Sequence, residues 1–230
     1  MRIAVTVAAI GVAVLSAAGV AAAQTSPSLQ GNAVPTLDDS GGKVAVVASS
    51  APVDGRVAFI VENGTGHPVR IRSVASGATS VGGARALRAS TTDVVPHRLA
   101  PGETAIGQVR WRSGTLEADA TITWNVEARR TAARTDPGRL DASGFVLSPP
   151  LAGRVAQTLT FDVANPHDAP RFGPLQTRVL CLNEASRPVL LVARSEQQGR
   201  LRAGASTPVT VDMLELCPSY LVAVASRVDR

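Results

Sequence analysis

Two cysteines, three histidines and several closely spaced arginines are the residues of this 230-residue chain whose types and spacing could do chemistry. Cys181 and Cys217 are its whole cysteine complement. In an exported chain an even pair of this kind reads as a disulfide. Closing a loop of that length would stabilise the fold by about 3–4 kcal/mol on the chain-entropy estimate. His67, His97 and His167 could offer imidazoles to a metal, but none has another histidine at i+2, i+3 or i+4, and each stands beside a proline. No metal site and no cofactor site follows from them. Nucleophilic catalysis calls for a Gly-x-Ser-x-Gly elbow or a cysteine with a histidine partner, and neither pattern occurs. Ser40-Gly41-Gly42-Lys43 approaches a phosphate loop, yet Leu37 stands where the first glycine belongs and Val44 where Ser or Thr belongs. Glu117, Asp119 and Glu127 alternate along one extended stretch, which reads as a solvated face. No catalytic residue is assigned, and the chain reads as a non-enzyme.

Arginine is the remaining feature. The chain has 22 arginines and one lysine, Lys43. Arg70 and Arg72 lie two residues apart, as do Arg110 and Arg112, and on extended strands such pairs share a face. Arg129 and Arg130 open a polar stretch, 129–139, in which Asp136 is the lone acid. These six arginines are candidate contacts to an anionic partner, either an envelope protein or an anionic cell-wall polymer. Interspersed acids also serve solubility: residues 43–128 carry 9 basic against 7 acidic residues, and 139–230 carry 10 against 8. Nucleic acid is not expected as a partner. Single strands are held by exposed aromatic platforms, whereas four of the seven aromatics (Phe59, Phe161, Trp111 and Trp124) fall on core-facing parity.

The elements that must position these residues are strands. In "RVAFIVEN" (56–63), Val57, Phe59 and Val61 lie on one side, with Arg56, Ala58, Ile60 and Glu62 on the other. In "LEADATITWNVEA" (116–128) every second residue from Leu116 to Val126 is apolar, and the residues between are polar. A period of two places one set on a core and the other in water. The spacing predicts strands over 43–49, 56–63, 69–75, 92–95, 105–112 and 117–128. A second set is predicted over 143–148, 155–165, 175–183, 188–195, 207–214 and 219–228.

The chain also repeats itself. "FIVEN" at 59–63 returns as "FDVAN" at 161–165, and Pro68 returns as Pro170, both at an offset of 102. "RLAPGET" at 98–104 returns as "RLRAGAS" at 200–206 at the same offset. A shared offset over several segments implies duplication. Both copies of "NGTGHP" keep the asparagine and the closing proline but not the titratable residues, so this segment reads as a turn.

The first 23 residues carry Arg2, then an uncharged apolar run ending Ala-x-Ala, the pattern of a cleaved secretory signal. Removing it takes the net charge from +5 to +4, and no later stretch is long and apolar enough to span a membrane. The predicted organisation is a signal peptide at 1–23, a disordered lead at 24–42, one β-sandwich at 43–128, a linker at 129–139 and a second β-sandwich with the disulfide at 140–230. The fold class is all-β: two tandem immunoglobulin-like antiparallel β-sandwiches after a signal peptide.

"VANPHDAP", "QTRVLCLNEASRPVLLVA" and "LRAGASTPVTV" give the second unit a resemblance to the short immunoglobulin-like repeats of exported bacterial proteins, including the F-x-L-Y-D type. "LCLNE" stands where a Leu-Tyr-Asp run would be. The resemblance implies a non-catalytic, envelope-associated module and brings no catalytic residues. The expected function is an exported binding or spacer protein of a bacterial cell envelope. Two alternatives stay open: an envelope chaperone that presents a strand edge to clients, and an enzyme or metal carrier whose site is assembled from distant loops.

Overall fold

The computed structural model describes residues 29–79, 86–111, 116, 120–132, 138–150 and 157–226. The signal at 1–23, Arg112, Glu117, Asp119 and residues 133–137 lie outside them. Among the described residues there is no helix, and so none that could cross a membrane.

Seventeen strands follow in chain order. They begin with β1 (Gln30–Gly31), β2 (Val44–Ser49), β3 (Arg56–Asn63), β4 (Val69–Thr79), β5 (Ala86–Thr91) and β6 (Val94–Val95). Next come β7 (Arg98–Leu99), β8 (Thr104–Arg110), β9 (Thr121–Arg130), β10 (Asp141–Ser148), β11 (Gln157–Ala164) and β12 (Arg171–Phe172). The last are β13 (Leu175–Leu182), β14 (Pro188–Gln197), β15 (Arg200–Leu201), β16 (Ser206–Met213) and β17 (Tyr220–Ser226). All pairings are antiparallel.

Of the five sheets among the described residues, a two-stranded one pairs β12 with β15, and the other four stack in layers. The outermost carries β5, β4 and β7, with β9 also on β4; the second runs β2-β3-β8-β6; the third runs β1-β17-β13-β14; the fourth runs β10-β11-β16. Three apolar fillings separate them. Val57, Phe59, Val61, Val74 and Val109 fill the first gap. Phe161, Leu159, Val179, Val211 and Val222 fill the third, together with both cysteines. Between the two inner sheets, Ala58, Ile60 and Ile106 meet Leu180, Leu182, Leu191, Leu221 and Ala223. The two inner sheets therefore bury both faces. This corrects the expectation that Ala58 and Ile60 face water: each is 0 % exposed. Strands buried on both faces read as continuous apolar runs, and β17 (YLVAVAS) is buried at every residue. The outer β9 keeps the predicted alternation, its polar positions exposed and its apolar ones half-buried.

Local chemistry explains the close packing. Gly107 pairs with Phe59 across β3 and β8, and a Cβ there would lie 2.3 Å from the Phe59 ring. The ring needs that vacancy to reach Trp124, whose centroid is 5.1 Å away. Cys181 and Cys217 are bonded with Cα atoms 5.6 Å apart, tying the segment between β16 and β17 to β13.

Two boundaries differ from expectation. Residues 29–42, expected as a disordered lead, form a strap over the third and second sheets. Leu29 is buried in the central filling, and β1 adds to the edge of β17. Asn32 donates to the Pro218 carbonyl (2.6 Å) and accepts from the Tyr220 amide (2.8 Å). Thr36 N–H donates to the Ser186 carbonyl and Asp38 N–H to that of Val47. Order here comes from backbone and amide hydrogen bonds to distant partners, which leave no apolar period to read. Arg129 and Arg130, expected in a linker, are instead the last two residues of β9, paired with Arg70 and Val69.

The central filling should dominate stability. Ile60→Ala is expected to cost about 2–5 kcal/mol; Val146→Ala, at a 58 % exposed position, should cost under about 0.5 kcal/mol. Guanidinium unfolding of the two variants checks the contrast.

Candidate functional site

The turn after β3 shows first what is architecture. Asn63, 0 % exposed, donates through Nδ2 to the carbonyls of His67 (2.9 Å) and Leu99 (3.1 Å). Its Oδ1 accepts from Thr65 N–H and Oγ1–H, and its backbone amide donates to the Glu103 carbonyl. Asn165 does the same 102 residues later, donating to the carbonyls of Ala169 (2.9 Å) and Leu201 (3.3 Å), while its amide donates to that of Ala205. Each asparagine clamps its own turn to the neighbouring one. The histidines in these turns act through their backbone or as structural bonds: His167 Nε2 lies 2.8 Å from the Arg139 carbonyl. Among the described residues no group of three or more His, Cys, Asp or Glu could hold a metal ion.

Ser40 and Lys43 also stand at Ser-x-x-Lys spacing, a pattern expected from sequence to be absent. That pattern needs a helix to bring the two side chains together. Here the segment is a turn in which Lys43 N–H donates to the Ser40 carbonyl (3.3 Å). Ser40 instead hydrogen-bonds the side chain of Glu62. Burial holds the Glu62 carboxyl above the usual carboxylate range; that bond opposes the shift, and the nearby Asp39 adds to it.

The functional candidates converge on the seam between the two inner sheets. Arg178 lies on β13, on the same side as Leu180 and Leu182, and is 1 % exposed. Its guanidinium donates to Asp93 Oδ1 through both Nε (3.2 Å) and Nη2, and through Nη1 to its own neighbour, the Thr177 carbonyl (2.8 Å). The other carboxylate oxygen of Asp93, Oδ2, takes Arg194 Nη2 at 2.5 Å. Arg178 and Arg194 are cross-strand register partners on β13 and β14. Like charges so placed repel, and Asp93, which precedes β6 on the other half of the chain, bridges them.

Two clefts open beside this bridge, and Asp93 and Arg194 line both. The larger, about 930 Å³, brings together Arg70, Arg72, Arg129 and Arg130 with Arg98 and Arg194, against the acids Asp93 and Glu196. Arg98, Arg70 and Arg129 stand opposite one another on three adjacent strands, β7, β4 and β9. Among the described residues no carboxylate lies within 4 Å of Arg72, Arg129 or Arg130. The second cleft, about 880 Å³, takes Arg56, Gln108 and Arg110 from β3 and β8, Leu191 to Arg194 from β14, and Asp212.

Four of the six arginines singled out from sequence thus share one cleft. Arg110 lines the other, and Arg112 lies outside the described residues. Arg56, Arg98, Arg178 and Arg194 were missed because each is isolated in sequence. Their signal lies in strand register, which one chain does not display. The exposed aromatic is Phe172, 60 % exposed, with Arg200 stacked 5.3 Å from its ring centre, and it lines neither cleft.

No family model matches the chain, and no curated protein does. Among solved structures, procruciferin, an 11S globulin from Brassica napus, aligns at 9 % identity over 89 % of this chain and 83 % of its own, with a TM-score of 0.15. A likeness at that level carries no argument.

Asp93→Ala should destabilise the fold by about 3 kcal/mol because it leaves the buried Arg178 guanidinium with only the half-exposed Glu196 carboxylate, at 3.5 Å, whereas Arg178→Met, alone or added to Asp93→Ala, should cost far less. Urea unfolding of the three variants reads this out. Glu62 binds its proton more tightly folded than unfolded, so its penalty is absent below the unfolded pKa and complete above the folded one. Glu62→Gln is therefore expected to raise stability at pH 7 and to change nothing at pH 3, as measured by denaturant midpoints at the two pH values.

Proposed function

We propose that this chain is an exported, non-catalytic binding protein of a bacterial cell envelope, composed of two tandem immunoglobulin-like units, that holds an anionic cell-wall polymer at its arginine cleft. The observation that carries the reading is the gathering of Arg72, Arg129 and Arg130 in one cleft, with no carboxylate of the described residues within 4 Å of any of them. Like charges so gathered repel, and a bound polyanion would offset that repulsion. Six arginines against two acids in one cleft is also more charge than solubility asks for. The guanidinium fork suits phosphate and carboxylate oxygens better than an ammonium does, and no lysine lines the cleft. The disulfide supports an oxidising compartment.

One observation favours a second reading, chaperone-like capture of an extended client. β14, an outer strand ten residues long, borders both clefts. Strand addition there would use its free edge, although the Val192 carbonyl already accepts the Leu214 amide (3.1 Å).

Titrating purified chain with an anionic cell-wall polymer separates the two. The polymer should bind at low salt and lose at least about tenfold in affinity on raising the ionic strength to about 0.5 M, since exposed charges are screened. Arg70→Gln with Arg129→Gln should weaken it by about tenfold or more, the equivalent of about 1.4 kcal/mol. Arg202→Gln, exposed and outside both clefts, should leave it unchanged. Salt-insensitive binding of unfolded polypeptide, with no binding of the polymer, would replace this reading by the chaperone one.

A further inference from the structure

Resting on the arginine cleft as an anion site, we propose that the two clefts form one continuous track for a linear polymer of repeating phosphates, recognised by its charge and not by bases or sugar rings. The key is the pair Arg56 and Arg110. These are register partners on β3 and β8, the same cross-strand relation that Arg178 and Arg194 have on β13 and β14. Asp93 bridges the latter pair with one carboxylate oxygen to each guanidinium. Among the described residues no carboxylate lies within 4 Å of Arg56 or Arg110. The chain thus contains its own example of an oxyanion set between two opposed arginines, and a second opposed pair that lacks one. Of the two acids lining that cleft, Asp93 is held by Arg178 and Arg194, and Asp212 accepts a hydrogen bond from Thr158 Oγ1 (3.3 Å).

The clefts adjoin at a shared lining. Asp93 and Arg194 line both, and the single negative charge of Asp93 is countered there by two guanidinia. From Arg110 and Arg56, through Arg194, to Arg98, Arg70 and Arg129, cations recur along one path. Neighbouring strands alone are about 4.8 Å apart, so the last three span about 10 Å and the whole path exceeds any single phosphate. The lining also says what is recognised. Trp111, the one aromatic in either cleft, is 4 % exposed, so no platform exists for stacking bases or sugar rings. That leaves repeating charge on a bare backbone, which the bidentate guanidinium fits.

Linear polyphosphate is the probe, in a short form of about 3 phosphates and a long form of about 50, since a chain engaging both clefts gains by effective concentration. Wild-type protein should bind the long form, per chain, at least about a hundredfold more tightly than the short form. Arg56→Gln with Arg110→Gln should lose about tenfold or more of that advantage and keep the affinity for the short form; Arg56→Lys with Arg110→Lys, which retains charge, should fall between. Thermal unfolding verifies that each variant is folded. If the Arg56/Arg110 variants match wild type on the long form while Arg70→Gln with Arg129→Gln loses it, the track is overturned and the single anion cleft stands. If no polyanion binds any of them, both readings fail. A polyuronate of equal length that binds as tightly as polyphosphate overturns the assignment to phosphate.

Discussion

Two sheets with no wet face set the terms for everything else in this molecule. Once β3 and β8 carry apolar residues on both sides, and β13 and β17 do likewise, each inner sheet must find a partner on each side. The result is four layers with three fillings. The central filling is built by the two halves of the chain together, so neither half can keep its inner sheet dry alone. Burying a residue of the size of Ile60 or Leu221 is worth about 1.5–3 kcal/mol. Several of them meet there, enough to make joining the halves a condition of stability.

An apolar seam has little intrinsic register, and charged groups at its margin supply one. Arg178 takes a position that alternation assigns to the seam, where an uncompensated guanidinium would cost several kcal/mol. It is tolerable where Asp93 of the other half meets it. The same logic recurs at Glu103, which accepts from the Ala100 amide (2.8 Å) and pairs with Arg139 of the other half (3.3 Å). The strap at 29–42 adds Asp38 with Arg187 at 2.8 Å, an exposed pair of little energetic weight; that contact draws the Asp38 carboxyl below its ordinary range. Apolar area holds the halves together, and the ion pairs choose how they sit.

Alternation made the strands legible: ten of the twelve expected spans coincide with an observed strand to within about three residues at either end, and the cysteine pair followed from compartment and parity. What stayed hidden has a common cause. Ala58 and Ile60 looked solvent-facing because a period of two cannot tell water from a second sheet. Of the five two-residue strands, β1, β7, β12 and β15 had no expected counterpart, being too short to show any period. The arginine cluster was half visible: Arg70 and Arg72 announce a shared face by their spacing, but Arg98 reaches that face only through pairing set by folding. Arg178 was invisible for the same reason, since within "QTRVLCL" it reads as one more polar residue near a strand start.

The clefts follow from how the seam ends. Along β3, on the side facing the seam, Ile60 and Ala58 give way to Arg56; along β8, Ile106 gives way to Gln108 and Arg110; along β13, Leu182 and Leu180 give way to Arg178 and Gln176. Three strands from two sheets thus pass from apolar to polar toward cations at the same margin. A seam built for stability alone could close there with neutral side chains, which carry no repulsion between register partners. It closes with opposed arginines on both sheets, and among the described residues only the Arg178–Arg194 pair is bridged by a carboxylate of the chain itself. On the proposed reading, a margin that stores like charge beside a stable core suits an anion from outside, and the rigidity of the layers would hold the guanidinia in place before it arrives.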